Sequence, residues 1–394
     1  MGIPLTSRER ILRRIDRLET DYTPLYFRFW PMDGPDNIPF EWRDQVRRLE
    51  HIRGLDLDDT LLLQPPLGYI EDYDVDLVAA GPESGLSIKF YDNATENNLL
   101  IKEYHTPEGV LRHAVKKTAD WKDGNDIRLF SDFNVSRAVE HIIKDDGDVN
   151  RLRYLLADPT EAQLGAFRAE SARIRDASKK WGVALDGAWC ALGDALIMLC
   201  GMERVLLAQM DEPDFLASLL DVLLKWELKR VSRVLDEGAE IVVHMAWYEG
   251  TDFWTPGNFR KLLKPRIKRL ADLTHNRGGR FRYIITKGWL PLIEDLIEIG
   301  VDCLTGIDPV QDNIRLDDAA NRVGNRICLM GGVNSAVMFT QWDEAQIRDA
   351  VRQALEVFTD KSFILHPVDA IFSDLPWDGV SACIDEWKKL SGIL

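Results

Sequence analysis

Cysteine is scarce and scattered in this sequence. The five thiols, Cys190, Cys200, Cys303, Cys328 and Cys383, sit singly in apolar, strand-like or helix-like settings, and no two have the C-x-x-C spacing. An odd, dispersed set argues against a disulfide framework and fits reduced thiols in a cytoplasm. Positive charge is also short: 49 Lys and Arg face 65 Asp and Glu, a formal charge of -16. That balance repels nucleic-acid phosphates. The basic run from Arg8 to Arg17 alternates with apolar residues, as a wet helix face does. No apolar run reaches membrane-spanning length, and charge appears at once at the N-terminus, so neither a membrane span nor a secretory leader is expected. Phosphate and nucleophile signatures are missing too: no GxGxxG after a strand, no Walker lysine, no HExxH and no GxSxG.

What is present is a core-forming supply of 45% apolar residues, arranged most regularly between Phe281 and Asn334. Arg280 to Ile285 reads as a strand ending in Thr286-Lys287-Gly288, and a helix from Leu290 to Ile299 stops at Gly300. A second strand, Val301 to Leu304, runs into Asp308-Pro309-Val310-Gln311, and a third, Arg326 to Met330, into Gly331-Gly332-Val333-Asn334. Short apolar runs, each followed by a polar turn and then a helix, indicate parallel βα units. The same alternation extends both ways. Ser7 to Leu18 is a helix capped by Thr6, Pro24 to Trp30 the first strand, Phe40 to Ile52 a helix, and Thr60 to Gln64 the second strand. Helical periodicity returns at Asp148–Leu155 and Glu161–Lys180, and Trp181 to Asp186 is the third strand. Asp214 to Glu237 is a long helix, Glu240 to His244 the fourth strand, Ser362 to His366 the eighth, and Trp377 to Leu390 the closing helix. Around residues 85–116 the pattern changes to alternating strands with Asn and Gly turns. The expected architecture is therefore α/β: one (β/α)8 TIM barrel over residues 1–394, with an antiparallel β insertion after the second strand.

In such a barrel the turns after the strands open on one face, where ligands bind. The residues there define a polar pocket with an aromatic lining. His244, Lys287 and Asp308 are the acid–base candidates. Arg28, Trp30, Trp189, Trp247, Glu249, Gln311, Asn334, His366 and Asp369 are expected to contact the ligand. Gln64, Asp186 and Asp252 stand at the same level, next to helix starts or turns. For each of these the plainer alternative is a cap, a turn or a satisfied hydrogen bond. Lys287 lies between apolar neighbours, Ile285 and Trp289, so it is expected to point inward, with Asp308 or Asp369 as a possible ion-pair partner.

The order of several short segments resembles the uroporphyrinogen decarboxylase superfamily, which also holds corrinoid-dependent methyltransferases. They are Met202-Glu203 to Ala217, Trp254-Thr255-Pro256-Gly257-Asn258-Phe259 with Lys264-Pro265, and Leu292 to Asp302. Asp308-Pro309-Val310-Gln311, Gly331-Gly332-Val333-Asn334, and Phe363-Ile364-Leu365 with Pro376 follow. The resemblance implies the same barrel. Two departures bear on function. The decarboxylases' arginine-rich RQAGRY-type loop is replaced by Phe29-Trp30-Pro31-Met32-Asp33-Gly34, with Arg28 the cation near it. The methyltransferases' zinc-binding His-x-Cys-Gly is replaced by Ile285-Thr286-Lys287-Gly288, and their later cysteine falls near Asp369, so no thiolate zinc site is expected. A harder ion near His244, Glu249 or Asp369 stays open, and the metal is unassigned.

The resulting expectation is an enzyme that takes a methyl group from a small methoxylated or methylated compound and passes it to a corrinoid carried by a partner protein. The alternatives are a decarboxylase of a small acid, or of uroporphyrinogen itself, and a non-catalytic barrel that binds a metabolite. No nucleic-acid or membrane partner is expected; a homodimer is one option, and the sequence leaves the oligomeric state open.

Overall fold

The structure is a computed structural model and describes residues 4–32, 34–65, 85–93 and 98–393. Asp33, Pro66 and residues 94–97 of the expected antiparallel segment lie outside these residues. The strands in chain order are β1 (Phe29–Trp30), β2 (Thr60–Leu63), β3 (Ser87–Asn93), β4 (Leu99–Thr106), β5 (Gly109–Lys116), β6 (Ala138–Glu140) and β7 (Ala184–Ala191). They continue as β8 (Ile241–Met245), β9 (Arg280–Ile284), β10 (Cys303–Ile307), β11 (Cys328–Asn334), β12 (Phe363–Val368) and β13 (Ile371–Phe372).

Seven of them form one parallel sheet in the order β12-β11-β10-β9-β8-β7-β2. The α/β expectation with parallel βα units therefore holds. Segment 25–26 reaches both edges of this sheet: Leu25 bridges Leu365 of β12, and Tyr26 bridges Asp58 just before β2. β3, β4, β5 and β6 form a separate four-stranded antiparallel sheet.

The amino ends of the parallel strands are closed by the first helix, Ser7–Ile15. Its Thr6 cap and Glu9 complete a reciprocal capping box. Ile11, Leu12 and Ile15 are buried against Tyr26, Ala184, Ile241, Cys303, Cys328, Met330 and Ile364. Each such apolar side chain contributes roughly 1.5–3 kcal/mol by leaving water. On the outer face, helices such as Pro213–Asp236 bury their apolar stripe, including Phe215, Leu219, Leu223 and Val234.

Boundaries differ from expectation where local chemistry intervenes. Helix Glu161–Trp181 runs on to Trp181 and ends at Gly182 in the left-handed conformation, so the third strand starts later, at Ala184. The helix expected from Phe40 starts at Gln45, because Asp44 caps the N–H groups of Val46 and Arg47. The first strand shrinks to Phe29–Trp30 and pairs with β13. Helices Gly193–Cys200 and Met202–Asp211 were not anticipated.

At the carboxyl ends β9 and β10 approach closely. A Cβ on Gly306, whose φ is +112°, would lie 1.8 Å from the Ile285 carbonyl oxygen. Backbone cannot yield as a side chain does, so Gly306→Ala is expected to cost more than about 3 kcal/mol in urea unfolding, or to prevent folding.

Candidate active site

A cavity of about 360 Å3 opens at the carboxyl ends of the first strands. Its walls come from 26–31, from Leu62 and Gln64 after β2, from Asp186 and Trp189 of β7, and from Met245 and Trp247 after β8. Trp42, Arg43, Gln45 and Arg48 close the remaining side. Arg28 is central. Its guanidinium carbon lies 4.8 Å from the Trp30 ring, 4.4 Å from Trp189 and 5.9 Å from Trp247. Its side chain makes one hydrogen bond among the described residues, a 3.3 Å contact to Asp369 Oδ1. A guanidinium has five N–H donors, so most of its capacity is unspent. Of the neighbouring arginines, Arg48 binds both oxygens of Asp59 at 2.8 and 3.2 Å, and Arg43 pairs with Asp36 on the exposed side.

The floor is polar and dry. Asp186 Oδ2 accepts from Thr60 Oγ1 at 2.9 Å and from Arg282 Nη2 at 3.2 Å. Burial pushes the Asp186 carboxyl above its usual range, against the pull of Arg282. His366 adjoins Tyr26, ring to ring at 5.6 Å, with Nδ1 2.9 Å from the Tyr26 carbonyl and Nε2 3.2 Å from the Asp369 carbonyl. Burial pushes the imidazole down to about 4, so at neutral pH the uncharged ring donates to one of these carbonyls only.

Three acid–base expectations are corrected. His244 does not reach the cavity. Along β8 the residues Ile241 and Met245 face inward, so His244, of opposite parity, faces the helices. There Nε2 lies 3.1 Å from both Glu249 oxygens, Tyr283 OH donates to Glu249 Oε2 at 2.6 Å, and Gly193 N to Oε1 at 2.7 Å. All three side chains are fully buried, so Glu249 too belongs to the sheet–helix layer. Lys287 stands on the rim, its side chain 52% exposed and paired with Asp252 at 2.9 Å, because the turn after β9 rises away from the cavity. Asp308 is spent on structure: Oδ1 accepts from Val310 N and Gln311 N, and Oδ2 from Asn334 Nδ2 at 2.7 Å. Asn334 in turn caps the next helix through Val337 N, and Gln311 is exposed.

Arg28, Trp30, Trp189 and Trp247 line the cavity, and Asp369 adjoins it through Arg28; His366, buried on two backbone carbonyls, does not line it, nor do His244, Lys287, Asp308, Glu249, Gln311 and Asn334. Sequence reading missed Trp42, Arg48 and Arg282, and also Asp194. The Asp194 carboxylate accepts from Trp247 N at 3.0 Å and Tyr248 N at 2.7 Å, fixing the loop that carries Trp247.

A curled parallel sheet with a ligand-sized cavity at the carboxyl ends of its strands defines an α/β protein of enzyme type. Residues 135–390 match the family model of uroporphyrinogen decarboxylase (URO-D), and the chain belongs to that family. It is 28% identical over 183 residues to the uroporphyrinogen decarboxylase of Thioalkalivibrio sulfidiphilus, covering 45% of this chain and 50% of that protein. With the uroporphyrinogen decarboxylase of Hydrogenovibrio crunogenus it shares 29% identity over 151 residues, 38% of this chain and 40% of the relative. The chain thus spans about half the length of these curated relatives. A methyltransferase from Methanosarcina mazei superposes with a TM-score of 0.59 at 14% identity, over 98% of this chain and 99% of that one. That likeness shows the fold.

The His366 ring resists protonation down to about pH 4, whereas an unfolded imidazole takes up its proton near 6.5. The unfolded chain therefore binds the extra proton between these values. The stability this ring contributes is present above pH 6.5 and falls, by up to about 3 kcal/mol, as pH drops toward 4. Urea midpoints measured across that window should decline, and His366→Gln should flatten part of the decline. Lys287→Met removes an exposed pair, so its melting temperature is expected to match the parent's.

Proposed function

We propose that the chain is a methyltransferase that seats a small methoxylated or methylated carboxylic acid in this cavity and passes its methyl group to a corrinoid carried by a partner protein. The observation that carries the reading is Arg28, a cation framed by three indoles with its donors largely unspent. A planar acid suits that frame: the carboxylate takes the guanidinium fork, and the ring lies among the indoles. A volume of about 360 Å3 is near the lower end of small-molecule pockets, roughly 300–1,000 Å3, which favours one ring over a tetrapyrrole. We also read segment 25–26 as the eighth member of a closed (β/α)8 ring, with the antiparallel sheet as its insertion.

The carboxylate serves better as a handle than as the group lost. A guanidinium stabilises it in the ground state, and decarboxylation would draw charge away from that contact, which raises the barrier. In the methyl-transfer reading the methoxyl C–O bond breaks, the oxygen keeps the electron pair, and the methyl group leaves without it. Asp186, held toward its protonated form by burial, gives the oxygen a proton, a contribution typically worth about 10²–10⁴ in rate. None of the five buried cysteines borders the cavity, so the acceptor enters from outside. A corrinoid supplies that acceptor when its carrier is docked at the mouth. Arg28 orients the acid, the indoles exclude water, and Asp186 holds the proton.

Decarboxylation of a small acid is the second reading, favoured by the name of the relatives that match part of the chain. Calorimetry with 4-methoxybenzoate, together with assays of methyl transfer to free cob(I)alamin and of CO2 release, separates the two. Methyl transfer without CO2 supports the first. Release of CO2 supports the second, and binding without turnover leaves a metabolite-binding barrel. Arg28→Met is expected to weaken binding by about 2–3 kcal/mol, or roughly 30- to 150-fold. Asp186→Asn is expected to lower turnover about 10²-fold with a smaller change in binding.

A further inference from the structure

We propose that Glu227 and Arg230, buried on the outer side of the sheet, are positioning residues for the cavity: their pair holds a bulge in β7 that aims Trp189 at Arg28. This rests on the reading of Arg28 as the anion-binding group. Register carries the argument first. β7 and β8 pair at Asp186↔Ile241 and Gly187↔Val242, and resume at Cys190↔His244 and Ala191↔Met245. Three steps on β7 therefore match two on β8. The extra residue is absorbed by Ala188 and Trp189, consecutive non-glycine residues with φ of 75° and 49°. A regular strand continuing from the inward Asp186 would send residue 189 toward the helices. The bulge reverses that parity, and Trp189 lines the cavity with the shortest of the three ring contacts to Arg28.

Two left-handed non-glycine residues in a row are strained and persist only where the surroundings impose them. The helix Pro213–Asp236 imposes them. Arg230 Nη2 donates to the Ala188 carbonyl at 2.7 Å, Glu227 Oε1 accepts from Ala191 N at 3.0 Å, and Arg230 Nη1 meets Glu227 Oε2 at 2.5 Å. The clamp grips both ends of the distorted segment, and both side chains are fully buried. An ion pair in so dry a place is a poor source of stability compared with apolar packing, and its known use is to specify one arrangement.

The test uses the full chain and two readouts. Acrylamide quenching of the Trp189 emission, obtained as the difference between each protein and its Trp189→Phe counterpart, reports the ring's shelter. Calorimetry with 4-methoxybenzoate reports the site. Glu227→Met with Arg230→Met replaces the pair by apolar chains of similar length. This variant is expected to fold, to expose Trp189 to quencher and to bind roughly ten-fold more weakly. Arg230→Lys keeps the charge for Glu227 and loses the fork to Ala188. It is expected to move both readouts the same way by less, and it stands in if the double variant does not fold. Unchanged quenching in either folded variant overturns the clamp. Raised quenching with unchanged affinity overturns its link to Arg28. If the parent does not bind 4-methoxybenzoate, the carboxylate reading fails, and the quenching arm still decides whether the clamp positions Trp189.

Discussion

The two-residue repeat of a strand covered on both faces governs this molecule. In a sheet lined by helices outside and by the cavity and first helix inside, most strand residues are buried on either face, and parity decides which layer each joins. Met245 borders the cavity while its neighbour His244 is sealed behind the sheet with Glu249 and Tyr283. The same rule gathers Tyr26, Arg28 and Trp30 on one side. Where it is broken, at Ala188 and Trp189, the break carries an aromatic ring to the side where a ligand sits.

Buried charge follows the same division. Arg282 with Asp186 and Arg48 with Asp59 lie on the cavity side, and Glu227 with Arg230 lies behind. Each ion leaves water at a cost of several kcal/mol and is tolerated because its partner answers it, with help from backbone groups for Arg48, Asp59, Glu227 and Arg230 and from the Thr60 hydroxyl for Asp186. Once these partners are assigned, two cavity-side guanidiniums keep capacity to spare among the described residues: Arg43, which is largely exposed, and Arg28, which is sheltered and bonded to Asp369 alone. The proposed reading gives the sheltered one the anion.

The strands were legible because buried parallel strands read as short apolar runs bounded by turns, and of the residues picked at strand ends Arg28, Trp30, Trp189 and Trp247 line the cavity. The same apolar character hid parity. Glu240-Ile241-Val242-Val243-His244 shows no alternation, so nothing in it distinguishes an inward histidine from an outward one. Lys287 misled for a different reason: apolar neighbours suggested depth, yet the turn lifts the ammonium to the rim beside Asp252. Arg48 sits in a charged helix that reads as solvated, and only the fold turns that face onto the cavity. The bulge leaves no trace in composition, since neither Ala188 nor Trp189 is a residue that favours a positive φ.

The overall charge of -16 argues against nucleic acid, but it does not describe the cavity at short range. Arg28, Arg43 and Arg48 border it against one lining carboxylate, Asp186, which burial holds toward its neutral form. At physiological salt the Debye length is about 8 Å, so acidic groups elsewhere on the surface are largely screened from a ligand in the mouth. What that ligand meets is the local field of Arg28 in a setting of low dielectric constant, where one unscreened cation outweighs many distant carboxylates. Net charge therefore bears on solubility and on large polyanions such as nucleic acid, while in the proposed reading the choice of a small acid falls to one guanidinium and the three indoles around it.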